Sequence, residues 1–185
     1  RDLKMLKWID KPVSYNNHTF TFINQDHSFL CECNGNQMFT MINWNLNDYG
    51  KLWSYNLNYM DYLLQPSIDK KTGFRLIKQF IDDIQSNTVG LESYPIALRT
   101  INWIKFISYF NANRQIGVQG NTSDETEIIK EINGSLFAQY KILLANLEYH
   151  LLGNHLLEDG FSLLFGAFYF NDKILYKKAR EILES

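Results

Sequence analysis

Residues Leu147 to Gly160, LEYHLLGNHLLEDG, set two histidines, an asparagine and three acids inside an otherwise apolar helical run. Gly153 is a place for one helix to stop, and Asn154 follows it directly. Asn154 can cap the next helix by accepting bonds from first-turn amides, or it can turn its amide toward a ligand. His155 comes next, among leucines, and an imidazole in that position is equipped to take a proton as a general base. His150 lies one turn upstream of Asn154 if the helix is unbroken, as a core, supporting or site residue. Glu158 and Asp159 suit the positive end of the helix that begins here.

Two further sets of polar residues interrupt apolar faces. Arg99, Asn102 and Lys105 recur every third residue between Ile96, Leu98, Ile101, Trp103, Ile104, Phe106 and Ile107. A guanidinium grips a carboxylate through two parallel bonds and an asparagine donates to the remaining lone pairs. That is equipment for an acidic sugar, and equally for an ion pair with a neighbouring helix. Upstream, Tyr55, Asn56, Asn58, Tyr59 and Tyr62 give another segment an aromatic, amide-bearing edge. Rings of this kind stack on sugar faces or pack between helices.

The elements that must carry these residues are mostly helical. Lys51 to Gln65 reads as a helix stopped by Pro66, and Phe74 to Ile84 recurs at helical spacing. A third helix starts near Pro95, a favoured first-turn residue, and Asn111 to Ser123 is a polar loop. Leu136, Tyr140, Leu143, Leu144, Leu147 and Leu151 form a broad stripe on the next helix. Leu157, Phe161, Leu164, Phe165 and Phe168 form another, and a last helix spans Lys173 to Leu183. Short connections make sequential helices antiparallel neighbours. Before them, residues 1–45 alternate Thr, Phe and Cys around an Asn-Gly-Asn turn at Asn34 to Asn36, which predicts one or two short strands or extended arms. The expected organisation is a strand-containing segment over 1–45 packed on a helical body over 46–185.

Bulk properties exclude some classes of function. The chain has 185 residues, 45% of them apolar, enough for a real core, and a formal charge of −2. No basic block points to nucleic acid, and no apolar run is long enough to span a bilayer. The 13 Phe, 11 Tyr and 4 Trp suit either a bulky core or an aromatic cleft. Cys31 and Cys33 form a lone Cys-x-Cys and are not expected to pair with each other. No ligand cluster calls for a metal, and no cofactor is expected. The first residues, RDLKMLKWID, lack the apolar core of a signal peptide.

Three blocks in order, KLWSYNLNYMDYL, LESYPIALRTINWIKF and LEYHLLGNHLLEDGFSLLFGAFYF, resemble the helical N-terminal part of heparinase II/III-type polysaccharide lyases and the related alginate lyases. The resemblance covers roughly Lys51 to Phe170. It implies a mainly α fold, an incomplete (α/α) toroid of antiparallel helical hairpins preceded by a short extended or β segment. It also implies β-elimination on uronic-acid polysaccharides without a cofactor, and favours the periplasm or the outside of the cell over the cytoplasm, which stays open. The acidic glycan would be the partner of the site. The rest of the toroid and a β-sandwich would be its partners in the full-length chain. By the resemblance Asn154 neutralises the uronate carboxylate and His155 is a general base. Tyr59, Asn58, Tyr94, Arg99, Asn102, Trp103 and His150 match positions that line or support the cleft. A tyrosine that serves the family as base or acid would lie beyond Ser185, so residues 1–185 alone are expected to bind acidic glycans weakly and to be inactive.

Departures from the pattern matter. Asn58 stands where members often have a histidine, which keeps a hydrogen bonder and loses a titratable group. Glu158 and Asp159 would repel a polyanion unless they face away from the cleft. The alternative function is a glycan-binding or scaffolding module in capsule or exopolysaccharide handling, with the architecture kept and the chemistry absent. A helical interaction repeat would need a repeating motif, and none is present.

Overall fold

The structure is a computed structural model that describes residues 10–34, 37–112, 123–149 and 154–184. The chain is mainly helical, with a small antiparallel sheet at its N-terminal end. That sheet is a meander of β1 (Tyr15–Asn16), β2 (Thr19–Phe22) and β3 (Gln25–Ser28). Its two turns use paired positive-φ residues, Asn17 with His18 and Ile23 with Asn24, the backbone that closes two-residue hairpins with the right twist. A separate hairpin joins β4 (Cys31–Asn34) to β5 (Gln37–Thr40), with Asn34 opposite Gln37. The turn expected at Asn34 to Asn36 thus falls between the paired strands, but residues 35 and 36 lie outside the described residues. There are more strands than the one or two expected.

Alternation along β2 sends Phe20 and Phe22 inward and leaves Thr21 exposed. Phe20 meets the ring of Tyr62 edge-on at 5.0 Å and Phe22 meets Trp53 at 5.2 Å. Gln65 clamps the same edge, accepting from the Ser14 and Tyr15 amides and donating to the Tyr15 carbonyl. The sheet and the first helices therefore share one core.

Among the described residues six helices follow: α1 (Lys51–Tyr59), α2 (Lys70–Asp83), α3 (Ser93–Ala112), α4 (Ser123–Ala145), α5 (Asn154–Phe170) and α6 (Lys173–Leu183). Asp69 caps α2 through the Thr72 amide, and Asp172 caps α6 through those of Ile174 and Leu175. The first helix is shorter than its sequence pattern. It ends at Tyr59 because Met60 turns left-handed, and Asp61–Leu64 continue as a 3-10 turn. Met60, Tyr62, Leu63 and Leu64 are all buried, which a continuous α-helix with one buried face could not achieve. The stripe expected to run to Leu151 also ends early, with α4 stopping at Ala145, Leu147 in the following loop and residues 150–153 outside the described residues.

Contacts along the helices fix their directions. Tyr94 meets His155, Thr100 bonds Ser162 and Lys105 lies over Phe165, so α3 and α5 run parallel. Lys70 pairs with Glu125 and Lys78 with Glu131, so α2 and α4 run parallel as well. Tyr140 bonds the Ser162 carbonyl while Tyr169 bonds Asn133, which sets α4 antiparallel to α5. The α5–α6 pair is an antiparallel hairpin, with Gly160 against Ile182 and Phe168 near Tyr176. Direction therefore alternates along the chain from α2 to α6. The N-termini of α3 and α5 share one end of the body with the C-termini of α4 and α6.

Candidate functional site

That end of the body gathers a row of rings. Tyr55 and Tyr59 stand one turn apart on α1, with centroids 6.1 Å apart. Tyr59 meets Tyr94, in the first turn of α3, edge-on at 5.8 Å. Tyr94 stacks on the imidazole of His155 at 4.3 Å and 20°. His155 is the second residue of α5, and its side chain is 47% exposed, so one face of the ring is covered while its edge stays open to solvent. Asn154, the first residue of the same helix, is exposed beside it.

Glu148, in the loop after α4, reaches back to His155, with its Oε2 3.1 Å from Nδ1. A carboxylate only accepts, so the proton of this bond sits on Nδ1 and Nε2 is the nitrogen left for a substrate. Near the start of the row, Glu92 accepts from the Tyr55 hydroxyl at 2.7 Å and the Gly90 amide at 2.9 Å, with Lys51 at 3.5 Å. Burial opposes ionisation of Glu92, but these donors outweigh it and hold its carboxyl below the usual range. Burial raises the phenols of Tyr59 and Tyr94, helped in each case by neighbouring negative groups. Both rings are therefore neutral hydrogen-bond donors at physiological pH rather than bases.

Beyond Tyr59 a cavity of about 330 Å³ opens between α1, α3 and α5. Asn102 lines it and fixes its wall by donating from Nδ2 to the Tyr59 carbonyl at 2.9 Å. Glu158 faces this cavity, whereas Asp159 turns into the interior, fully buried, with no short, well-aligned hydrogen bond to either oxygen among the described residues. Burial pushes the Asp159 carboxyl up to about 7. The concern about acids repelling a polyanion thus applies to Glu158 and is removed for Asp159.

Three residues expected to line or support the cleft lie inside, where they can support its walls but do not line it. Arg99 is fully buried, donating from Nε to Gln139 and from Nη1 to the Asn58 and Gly90 carbonyls, with its guanidinium 4.3 Å from the centroid of the Phe80 ring. Burial pulls that guanidinium down to about 9, which leaves it charged at neutral pH. Asn58 is fully buried and spends its amide on the Trp44 and Ser54 carbonyls. It packs against Gly90, whose φ of +78° and closeness to Asn58 leave no room for a side chain. Trp103 is fully buried and donates to the sulfur of Met60. The physical reason is helical rotation: every third residue falls about 60° back around the axis, so Arg99 points into the core while Asn102 and half-buried Lys105 turn toward the cavity. Asn58 and Trp103 stand on the faces that α1 and α3 turn toward each other and toward α2. His150 lies outside the described residues.

Two participants escaped the sequence reading. Glu148 reaches His155 only because the chain turns back between α4 and α5, and no periodicity signals that. Glu92 sits before α3, where its pairing with Tyr55 depends on how α1 packs. A larger cavity, about 640 Å³, lies between residues 41–45 and α2, and holds none of the residues named from sequence. Among the described residues no group of three His, Cys, Asp or Glu side chains is arranged as metal ligands, and no helix is long and apolar enough to cross a membrane. No family model, curated protein or solved structure matches this chain.

Proposed function

We propose that this chain is the N-terminal helical part of a polysaccharide lyase of the heparinase II/III type, which cleaves uronic-acid glycans by β-elimination. The observation that carries the reading is the exposed Asn154–His155 pair at the start of α5, with His155 held by Glu148 on one nitrogen and by Tyr94 on one face. The alternating helix directions support the finer architecture, the opening pairs of an (α/α) toroid, because such a ring needs parallel inner helices and parallel outer ones.

In this reading the uronate carboxylate lies against the Asn154 amide. The proton at C5 is weakly acidic because the ionised carboxylate resists more negative charge, and a donor aimed there disperses the charge as it develops. His155 Nε2 takes the proton. The electron pair left at C5 forms the C4–C5 double bond as the C4–oxygen bond breaks, and a phenol protonates the departing oxygen. Tyr59 and Tyr94, kept neutral by burial, offer their rings and hydroxyls to the sugar rather than acting as base. Asn102 shapes the next part of the groove.

The test is Asn154→Ala in the protein that carries this chain. Elimination, read as the ultraviolet absorbance of the unsaturated uronide, should fall by roughly 10²–10³-fold with an unchanged circular dichroism spectrum. A fully active variant removes the assignment. A second reading, glycan binding without chemistry, is favoured by the burial of Arg99, Asn58 and Trp103, which leaves the ring row as the main sugar contact. Under it the same variant weakens binding, and no unsaturated product forms from any uronate.

A further inference from the structure

The cavity beside Tyr59 has a cation that the proposed chemistry does not use. Lys105, half-buried on α3, holds its ammonium 5.5 Å from the centroid of the Phe165 ring and makes no ion pair among the described residues. Lys11, on the same cavity, is already occupied by Asp61 at 3.6 Å. Apolar Ile101 and Phe165 form part of the lining, so an ion there meets less water than on an open surface.

We infer that this cavity is an anion subsite, in which Lys105 receives the carboxylate or sulfate of the sugar unit next to the one held at His155. The identity of that ligand rests on the lyase reading; the site itself rests on the unpaired ammonium and the cavity. Tyr59 joins the two places, since its ring belongs both to the row ending at His155 and to the cavity wall. A glycan passing one therefore passes the other. Glu158 and Asp61 also line the cavity and repel an anion on their own sides, so the charged substituent seats toward Lys105. Burial holds the Lys105 ammonium below the ordinary lysine value, Lys11 pushes the same way and Glu158 opposes them. A bound anion would restore the favourable field that burial removed, which gives the site a reason to be filled.

The experiment compares wild type, Lys105→Gln and Lys105→Arg by calorimetry against a uronate tetrasaccharide and its carboxyl-reduced, neutral counterpart. In parallel, mass spectrometry follows the rate of Lys105 acetylation in wild type with and without inorganic sulfate. The expected result is about tenfold weaker uronate binding for Lys105→Gln, most of the affinity kept by Lys105→Arg, and equal binding of the neutral sugar by all three. Sulfate should slow acetylation of Lys105. If Lys105→Gln binds the uronate as wild type does, the subsite is overturned and the lyase reading stands. Equal weakening toward charged and neutral sugars also overturns it, because Lys105 is then only structural. If wild type binds no uronate while sulfate still protects Lys105, the anion site holds and the lyase reading falls. If neither uronate nor sulfate engages Lys105, the subsite is overturned.

Discussion

Replacing Asp159 with Asn should make the protein more stable above neutral pH and flatten its stability across the acid range. Both Asp159 oxygens are buried and make no short, well-aligned hydrogen bond among the described residues, and burial is the main cause that lifts the carboxyl from 3.8 to about 7. Glu148 and Glu158 add repulsion, while His155 and the backbone at Glu148 partly offset it. Between those two pH values the folded chain holds a proton that the unfolded chain has lost. The folded state therefore binds more protons, and stability falls as pH rises. The loss starts just above pH 3.8, is complete near pH 7, and runs at about 1.4 kcal/mol per pH unit. Across the window it reaches about 4 kcal/mol at most, a large part of a domain's stability. An asparagine of nearly the same shape never ionises, though its buried amide costs about as much as the unpaired acid it replaces. Urea unfolding followed by circular dichroism from about pH 4.5 to about pH 8 should show wild type losing stability on this slope while Asp159→Asn stays level. Parallel pH dependences, or a variant less stable than wild type near pH 8, would refute the reasoning.

Gly90→Ala should destabilise by roughly 2–4 kcal/mol in thermal or urea unfolding, because a side chain at φ +78° would overlap the Asn58 side chain and displace the carbonyls that hold Arg99. For the proposed elimination, Glu148→Ala should lower kcat about 10²-fold with little change in KM, since His155 loses the bond that orients it; Glu148→Gln, which keeps an acceptor, should retain most of the rate. Tyr94→Ala should lower kcat as Glu148→Ala does, by freeing the imidazole face, while Tyr94→Phe keeps the stack and stays near wild type in the same steady-state assay.

The parts of this protein that can be read from its sequence are those governed by local rules. The last helix runs from Lys173 to Leu183 as its spacing predicts, because Asp172 caps it and apolar Leu175, Ala179 and Ile182 recur on one face. The third helix begins at Ser93, two residues before the proline that marks its first turn. Local rules fail where tertiary burial wins. Met60 breaks the first helix so that its apolar neighbours all turn inward, and nothing in residues 51–65 taken alone demands that break. At the candidate site, Asn154 and His155 stand exposed together, and Tyr59 and Asn102 line the adjoining cavity. Arg99 was misread because residues three apart fall about 60° back around the axis, so Arg99 and Lys105 stand about 120° apart and share no face. Glu148 could not be foreseen, since its contact is made across a chain reversal.

The most direct test of the central claim follows the substrate rather than the protein. A panel of uronate polysaccharides is digested with the protein that carries this chain, and the products are resolved by proton NMR. The account predicts a vinyl resonance at C4 of a new non-reducing end, absent when His155 is replaced by alanine. Saturated ends from hydrolysis, or vinyl product undiminished in His155→Ala, would contradict it.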